Sequence, residues 1–173
     1  NTAYLYSIQN NYNGATLIGN QSVVAGGTHT ATGLLTANKL NVAAGSLGGA
    51  GTIIVSTDFT HTGGTFNPSG SVDLTRTLGT FNVGPLSTNG TIKLSTGGGF
   101  DINLNGNLTA TNSGLADNVA AISVNAAGNI NLASTANLTA NTSGAIVLNA
   151  AGSIDLKVND FGGNGSANAL TAV

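Results

Sequence analysis

Residues 121–156 read AISVNAAGNINLASTANLTANTSGAIVLNAAGSIDL, and an aliphatic residue returns there every eight positions, at Ile122, Ile130, Leu138, Ile146 and Ile154. Two residues after each stands another apolar side chain: Val124, Leu132, Ala140, Leu148 and Leu156. An apolar-polar-apolar triplet is a short strand with one buried face. Its return at a fixed spacing marks a stack of near-identical units. Ala121-Ile-Ser-Val-Asn-Ala-Ala-Gly128 comes back as Ala145-Ile-Val-Leu-Asn-Ala-Ala-Gly152, 24 residues on, which is three of the eight-residue units. Three short strands per coil follow.

Working outward, Asn107-Leu-Thr-Ala-Thr-Asn-Ser-Gly114 matches Asn137-Leu-Thr-Ala-Asn-Thr-Ser-Gly144 at 30 residues, which places an insertion over Leu115 to Ala120, in a corner loop. Gly51-Thr-Ile-Ile-Val55, Gly70-Ser-Val-Asp-Leu74 and Gly90-Thr-Ile-Lys-Leu94 follow one another at 19 and 20 residues, and Gly64-Thr-Phe-Asn67 returns as Gly79-Thr-Phe-Asn82. An all-β chain of this kind forms either a right-handed parallel β-helix (a β-solenoid) or an antiparallel β-sandwich. In a solenoid each triplet lies about 4.8 Å from its counterpart one coil away, so similar residues recur at one coil length. A sandwich has no such requirement, and the recurrence selects the solenoid. The expected organisation is N-terminal strands, a cap or irregular coils over 1–50, solenoid repeats over 51–160, and a Gly/Asn/Ser-rich tail over 161–173. At 20–24 residues per coil, 173 residues allow roughly seven to eight coils.

Composition agrees. Aromatics make up 5% of the chain, so the core is narrow and aliphatic. The 26 glycines, with many Asn, Ser and Thr, fall largely between triplets, where Gly and Asn tolerate positive φ. Pro68 and Pro85 both fall at expected corners. Only 6% of residues are charged and none is Glu. Lys39, Arg76, Lys93 and Lys157 are scattered, which argues against nucleic acid as a partner, because phosphate neutralisation needs clustered cations. No apolar run approaches the ~18 residues of a membrane helix, so no membrane insertion is expected. The absence of Cys and the neutral, hydroxyl- and amide-rich surface point to an extracellular or cell-surface location. The chain opens Asn1-Thr-Ala-Tyr without Met or a signal peptide, so it is expected to be a processed chain, an excised segment or a sequence whose true start is unknown.

Asp58-Phe-Thr-His-Thr-Gly-Gly-Thr-Phe-Asn67, with Gly70-Ser-Val-Asp-Leu74, Gly128-Asn-Ile-Asn-Leu132 and Gly152-Ser-Ile-Asp-Leu156, resembles the repeats of filamentous-haemagglutinin-type adhesins and related giant bacterial surface proteins. The resemblance covers about 51–156. It implies a right-handed parallel β-helix, export across an outer membrane, and a role as an adhesive or spacing stalk in a surface or biofilm-matrix protein. The Asn-Pro-Asn-type motifs of that family's secretion domain are missing; the only Asn-Pro is Asn67-Pro68. The resemblance therefore implies stalk material or a divergent relative.

Solenoids also host enzymes acting on acidic polysaccharides, which need clustered carboxylates with Arg or Lys. Asp58 and His61 are expected as a solvated Asp and a surface His on opposite faces of one strand. Asp73, Lys93, Asn103, Asn131 and Asp155 take the outward, middle position of their triplets, with Asp73 and Lys93 expected as a surface pair. An enzyme would need several of Asp58, Asp73, Asp101 and Asp155 in one groove. No catalytic, cofactor-binding or metal residue is assigned, and the chain is expected not to be an enzyme. Gly162-Gly-Asn-Gly-Ser166 resembles the opening of a calcium-binding nonapeptide, but Ala167 stands where the ligand Asp belongs. Thr28-His-Thr30, Thr60-His-Thr62 and Thr109-Ala-Thr111 recur at no fixed coil spacing, so no flat threonine face is expected. The sequons at Asn20, Asn89, Asn107, Asn137, Asn141 and Asn164 are what chance produces in an Asn- and Thr-rich chain.

Two kinds of partner remain. Outward Asn, Thr and Ser ladders suit neutral glycans, on a host or neighbouring cell, through hydrogen bonds. Neither terminus carries an amphipathic helix to cap the solenoid, so its ends call for a longer parent chain or for self-association into a filament. Tyr4-Leu-Tyr-Ser-Ile8 is the strand available for donation in the latter case.

Overall fold

The computed structural model describes residues 2–5, 9–12, 16–17, 21–111, 119–140, 144–156 and 170–172. Among them there is no helix, and every strand pairing described is parallel and coil on coil, so the chain is a β-solenoid of about six turns and not an antiparallel sandwich. Two compact units are present, 1–76 and 77–173.

The second unit shows most plainly how sequence becomes coil. Its strands are β9 (Phe81–Val83), β10 (Leu86–Thr88), β11 (Ile92–Thr96), β12 (Ile102–Leu104), β13 (Leu108–Ala110), β14 (Ala120–Ala126), β15 (Ile130–Leu132), β16 (Leu138–Ala140), β17 (Ala145–Ala150), β18 (Ile154–Leu156) and β19 (Leu170–Ala172). In chain order β9 to β18 visit three sheets in rotation, and β19 joins the third. β9, β12, β15 and β18 form one, β10, β13 and β16 the second, and β11, β14, β17 and β19 the third. The eight-residue beat is thus one step from sheet to sheet, and three steps close a coil. Ile122 lies over Ile146 and Ile130 over Ile154, as the 24-residue recurrence requires. Leu108 lies over Leu138 at the longer step of 30.

That extra length enters between β13 and β14. Of the insertion expected over 115–120, residues 115–118 lie outside the described ones, whereas Ala120 is already strand, paired with Ala145 next to a register irregularity. Along the column Asn82, Asn103 and Asn131 the coil step changes from 21 to 28 residues without loss of register. Loop length varies freely because closure entropy rises only slowly with length. Lengthened coils also account for about six turns rather than seven or eight.

The tail expected over 161–173 contains a strand. Leu170–Ala172 pairs with Ile146–Leu148. The motif expected at 162–166 lies outside the described residues.

The first unit holds β1 (Thr2–Leu5), β2 (Gln9–Tyr12), β3 (Thr16–Leu17), β4 (Gln21–Ala31), β5 (Leu35–Gly49), β6 (Ile53–His61), β7 (Thr65–Pro68) and β8 (Val72–Arg76). Its long strands turn corners instead of breaking into triplets. β4 carries β1 on its first part and β2 on its second, and β5 carries β6 and then β7. Register shifts mark the bends. Tyr4 and Leu5, expected as part of a donated strand, pair with Val23 and Val24 of their own chain. The expected 19-residue step holds between Ile53–Val55 and Val72–Leu74.

Both cores are stacks of columns. Leu35, Ile53 and Val72 form one in the first unit; Leu94, Val124 and Leu148 form one in the second. All six are at most 1% exposed. Each such side chain contributes about 1.5–3 kcal/mol on burial, which is how a core with few aromatics holds together. Corners set a second constraint. Gly45 has φ +66, and a Cβ there would strike the backbone of Gly26 and Gly27 in the neighbouring coil, so only glycine permits both the turn and the approach.

Ser22, His29 and Thr88 are buried polar exceptions to the aliphatic rule, and Thr88 is the one whose hydroxyl is stranded. Thr88 stacks beneath Ala110, which stacks beneath Ala140, and its buried hydroxyl has no hydrogen-bond partner. Replacing Thr88 by Val keeps the shape and removes the stranded hydroxyl. Thr88→Val is expected to raise stability by about 1 kcal/mol, read as a higher urea midpoint at unchanged slope; a lower midpoint would show that the hydroxyl is satisfied.

Candidate functional site

The outward positions of the sheet formed by β9, β12, β15 and β18 carry Asn82, Asn103, Asn131 and Asp155 in one column. Parallel in-register pairing puts like side chains about 4.8 Å apart, a spacing at which carboxamides hydrogen-bond in series. Asn103 Nδ2 donates to Asn82 Oδ1 at 2.8 Å, and Asn131 Nδ2 donates to Asn103 Oδ1 at 2.8 Å. An amide has two N–H donors and two acceptor lone pairs. The ladder consumes one of each on Asn103, which leaves a donor and an acceptor for a ligand.

Around the ladder the corners are braced in the same way. Asn129 N–H donates to Asp101 Oδ1 at 2.7 Å, and one coil on Ser153 N–H donates to Asn129 Oδ1 at 2.8 Å. Asn137 N–H donates to Asn107 Oδ1 at 2.9 Å. Side-chain oxygens of one coil thereby satisfy the backbone donors that a corner leaves without a ladder partner. Two of the sequon asparagines serve in this bracing: Asn107, and Asn89, whose Oδ1 accepts from the Thr111 hydroxyl.

A cavity of about 360 Å³ opens beside the ladder, lined by Asn103, Asn105, Asn131, Leu132, Ala133 and Ser134. No lining side chain is charged. Its polar groups are amides and a hydroxyl, with Leu132 and Ala133 as the apolar part. This is the chemistry of hydrogen bonding to hydroxyl-rich, uncharged ligands, and the volume falls in the ordinary range for small-molecule sites.

The carboxylates weighed as catalytic groups are distributed over separate columns within each unit. In the second, Asp101 belongs to the corner stack with Asn129 and Ser153, and Asp155 to the asparagine column. In the first, Asp58 is the partner of Arg76 and Asp73 the partner of Ile54. Asp58 was expected to be solvated. Its side chain is instead only 15% exposed, with Oδ1 3.4 Å from Arg76 Nη1. The ion pair escaped sequence reasoning because the coil step there, 18 residues, differs from the 19 that the glycine-led repeats display. His61 is exposed, 3.3 Å from the Gly64 carbonyl. Lys93 and Asp73 take the outward middle positions of β11 and β8, as expected. Among the described residues no three His, Asp, Glu or Cys side chains are grouped as metal ligands.

His29 was missed. It reads as part of a polar Thr-His-Thr, yet it is 1% exposed and stacks on Leu47. Its Nε2 lies 3.0 Å from the Gly26 carbonyl, which accepts only, so that nitrogen carries the proton. The available signal was Ala31, two residues on and equally buried.

No protein-family model, curated protein or solved structure matches this chain. The ladder's own contribution is measurable. Asn103→Ala removes both of its bonds and is expected to lower stability by about 1–3 kcal/mol, whereas Asn105→Ala, outside the ladder, is expected to change it by less than about 0.5 kcal/mol. Equal urea midpoints for the two variants would deny the ladder a structural role.

Proposed function

We propose that this chain is a non-enzymatic, extracellular structural and adhesive segment of a bacterial surface or matrix protein, and that its asparagine ladder holds neutral glycan. The observation that carries the reading is the Asn82–Asn103–Asn131 column with the uncharged cavity beside it. Spare amide donors and acceptors repeat along the coil axis at about 4.8 Å, which suits an extended saccharide lying across successive coils. The carboxylates support a non-enzymatic role: Asp101 braces a corner and Asp58 neutralises an arginine, so each has a structural task. The repeat resemblance to filamentous-haemagglutinin-type adhesins agrees with this and rests on the residues alone. A glycan array probed with the isolated chain is expected to include uncharged oligosaccharides among its ligands, with their binding weakened about tenfold or more in Asn131→Ala. Binding that survives this substitution would place the glycan elsewhere.

A second reading has its own observation. Ile154 and Leu156 of β18 are half-exposed, although Ile130 and Leu132, on which they stack, are buried. A further coil would cover them, and end-to-end stacking of a second copy supplies one. Size-exclusion chromatography with light scattering is expected to show concentration-dependent growth that Leu156→Asn abolishes; a monomer at every concentration would exclude this assembly.

A further inference from the structure

Three consecutive coils of the first unit set Lys39, Asp58 and Arg76 in one column, each the Cα partner of the next. Two of the chain's four basic residues therefore flank a single carboxylate. The two cations are not equivalent. Arg76 Nη1 lies 3.4 Å from Asp58 Oδ1 and 3.5 Å from the Phe59 carbonyl, so Arg76 is the partner that Asp58 uses. The Lys39 side chain forms no hydrogen bond or ion pair with any described residue. The column therefore keeps one uncompensated positive charge, on Lys39.

That charge lines a cavity of about 160 Å³, together with Ser22, Asn41, Asp58 and Thr60. Asn41 and Thr60 are Cα partners, two residues beyond Lys39 and Asp58 on their strands, so the four side chains form a block on one sheet face. Asn41 Oδ1 already accepts from the Thr62 hydroxyl, which leaves the amide N–H groups of Asn41 as donors. The block thus offers a cation, an amide donor, a hydroxyl and a carboxylate that accepts.

We propose that this cavity binds one carboxylate-bearing sugar, a uronic-acid unit of an acidic polysaccharide, with the carboxylate on Lys39 and ring hydroxyls on Asn41, Thr60 and Asp58. The volume is below that of a drug-sized site, which limits the occupant to about one small unit. Asp58 sets the selectivity. It accepts from a sugar hydroxyl but repels dense negative charge, so phosphate- or sulfate-rich polymers are disfavoured. Lysine suits the task because its ammonium is a point charge that needs no planar, bidentate partner. The site is separate from the asparagine ladder and does not depend on neutral-glycan binding there.

The test is a titration of the isotope-labelled chain, followed by amide chemical shifts, with an oligogalacturonate, a neutral oligoglucoside of equal length, and sodium acetate, all at matched ionic strength. The oligogalacturonate is expected to move the amides of Lys39, Asn41 and Thr60 saturably. Lys39→Gln is expected to weaken this about tenfold or more, Lys39→Arg to restore most of it, and Lys93→Gln to leave it unchanged. A melting curve for Lys39→Gln that matches the parent separates lost binding from lost fold. The neutral oligosaccharide moving the Lys39, Asn41 and Thr60 amides with equal affinity, unchanged binding by Lys39→Gln, or acetate saturating the same amides at the same concentration would each overturn the proposal.

Discussion

In-register parallel stacking of one coil on the next is the constraint from which the other features follow. It places each side chain about 4.8 Å from its counterpart, so every position is judged against the residue one coil away. Aliphatic columns such as Leu94, Val124 and Leu148 pack well under that rule. Like charges do not: at 4.8 Å and an effective dielectric constant near 20, repulsion reaches about 3.5 kcal/mol. A chain that repeats itself cannot repeat charged residues in one column, which explains why only 6% of its residues are charged. Where charges do occur in a column, their signs alternate, as in Lys39, Asp58 and Arg76.

Asparagine is the polar residue best suited to the same geometry, because a carboxamide donates to one neighbour and accepts from the other. Asn82, Asn103 and Asn131 show this on one sheet, and Asn125 and Asn149 on another. Elsewhere the side-chain oxygen turns to backbone. Asp101 and Asn129 each accept a corner N–H from the next coil, so these loops are held by the coils they connect. A surface of this kind is neutral and periodic, and it retains unused hydrogen-bonding groups.

Legibility in the sequence differed between the two units for a physical reason. In the second, short triplets whose first and third residues are buried alternate with corners, and the period survives changes of loop length. Ile122, Ile130 and Leu138 could each be given a face before any coordinates. In the first, β4 and β5 run through their corners with register shifts, so no fixed beat marks where one face ends. Asp58 then looked solvated, and His29 looked like part of a polar triplet. Both are decided by what lies one coil away, Arg76 for the former and Leu47 for the latter.

The sequence by itself determined that the chain is a stack of parallel coils, that three strands make a coil where the eight-residue beat holds, and which residues of each triplet face inward. Periodicity alone suffices for this, because every coil repeats the same local decision between buried and exposed. Tertiary structure alone decided which polar residues meet. The coil step ranges from 18 to 30 residues among the pairs described, so a partner's position cannot be counted from sequence. The Asn103 ladder, the pairing of Asp58 with Arg76 rather than with Lys39, and the cavities beside them exist only once each corner has taken up its own length and brought the next coil into register.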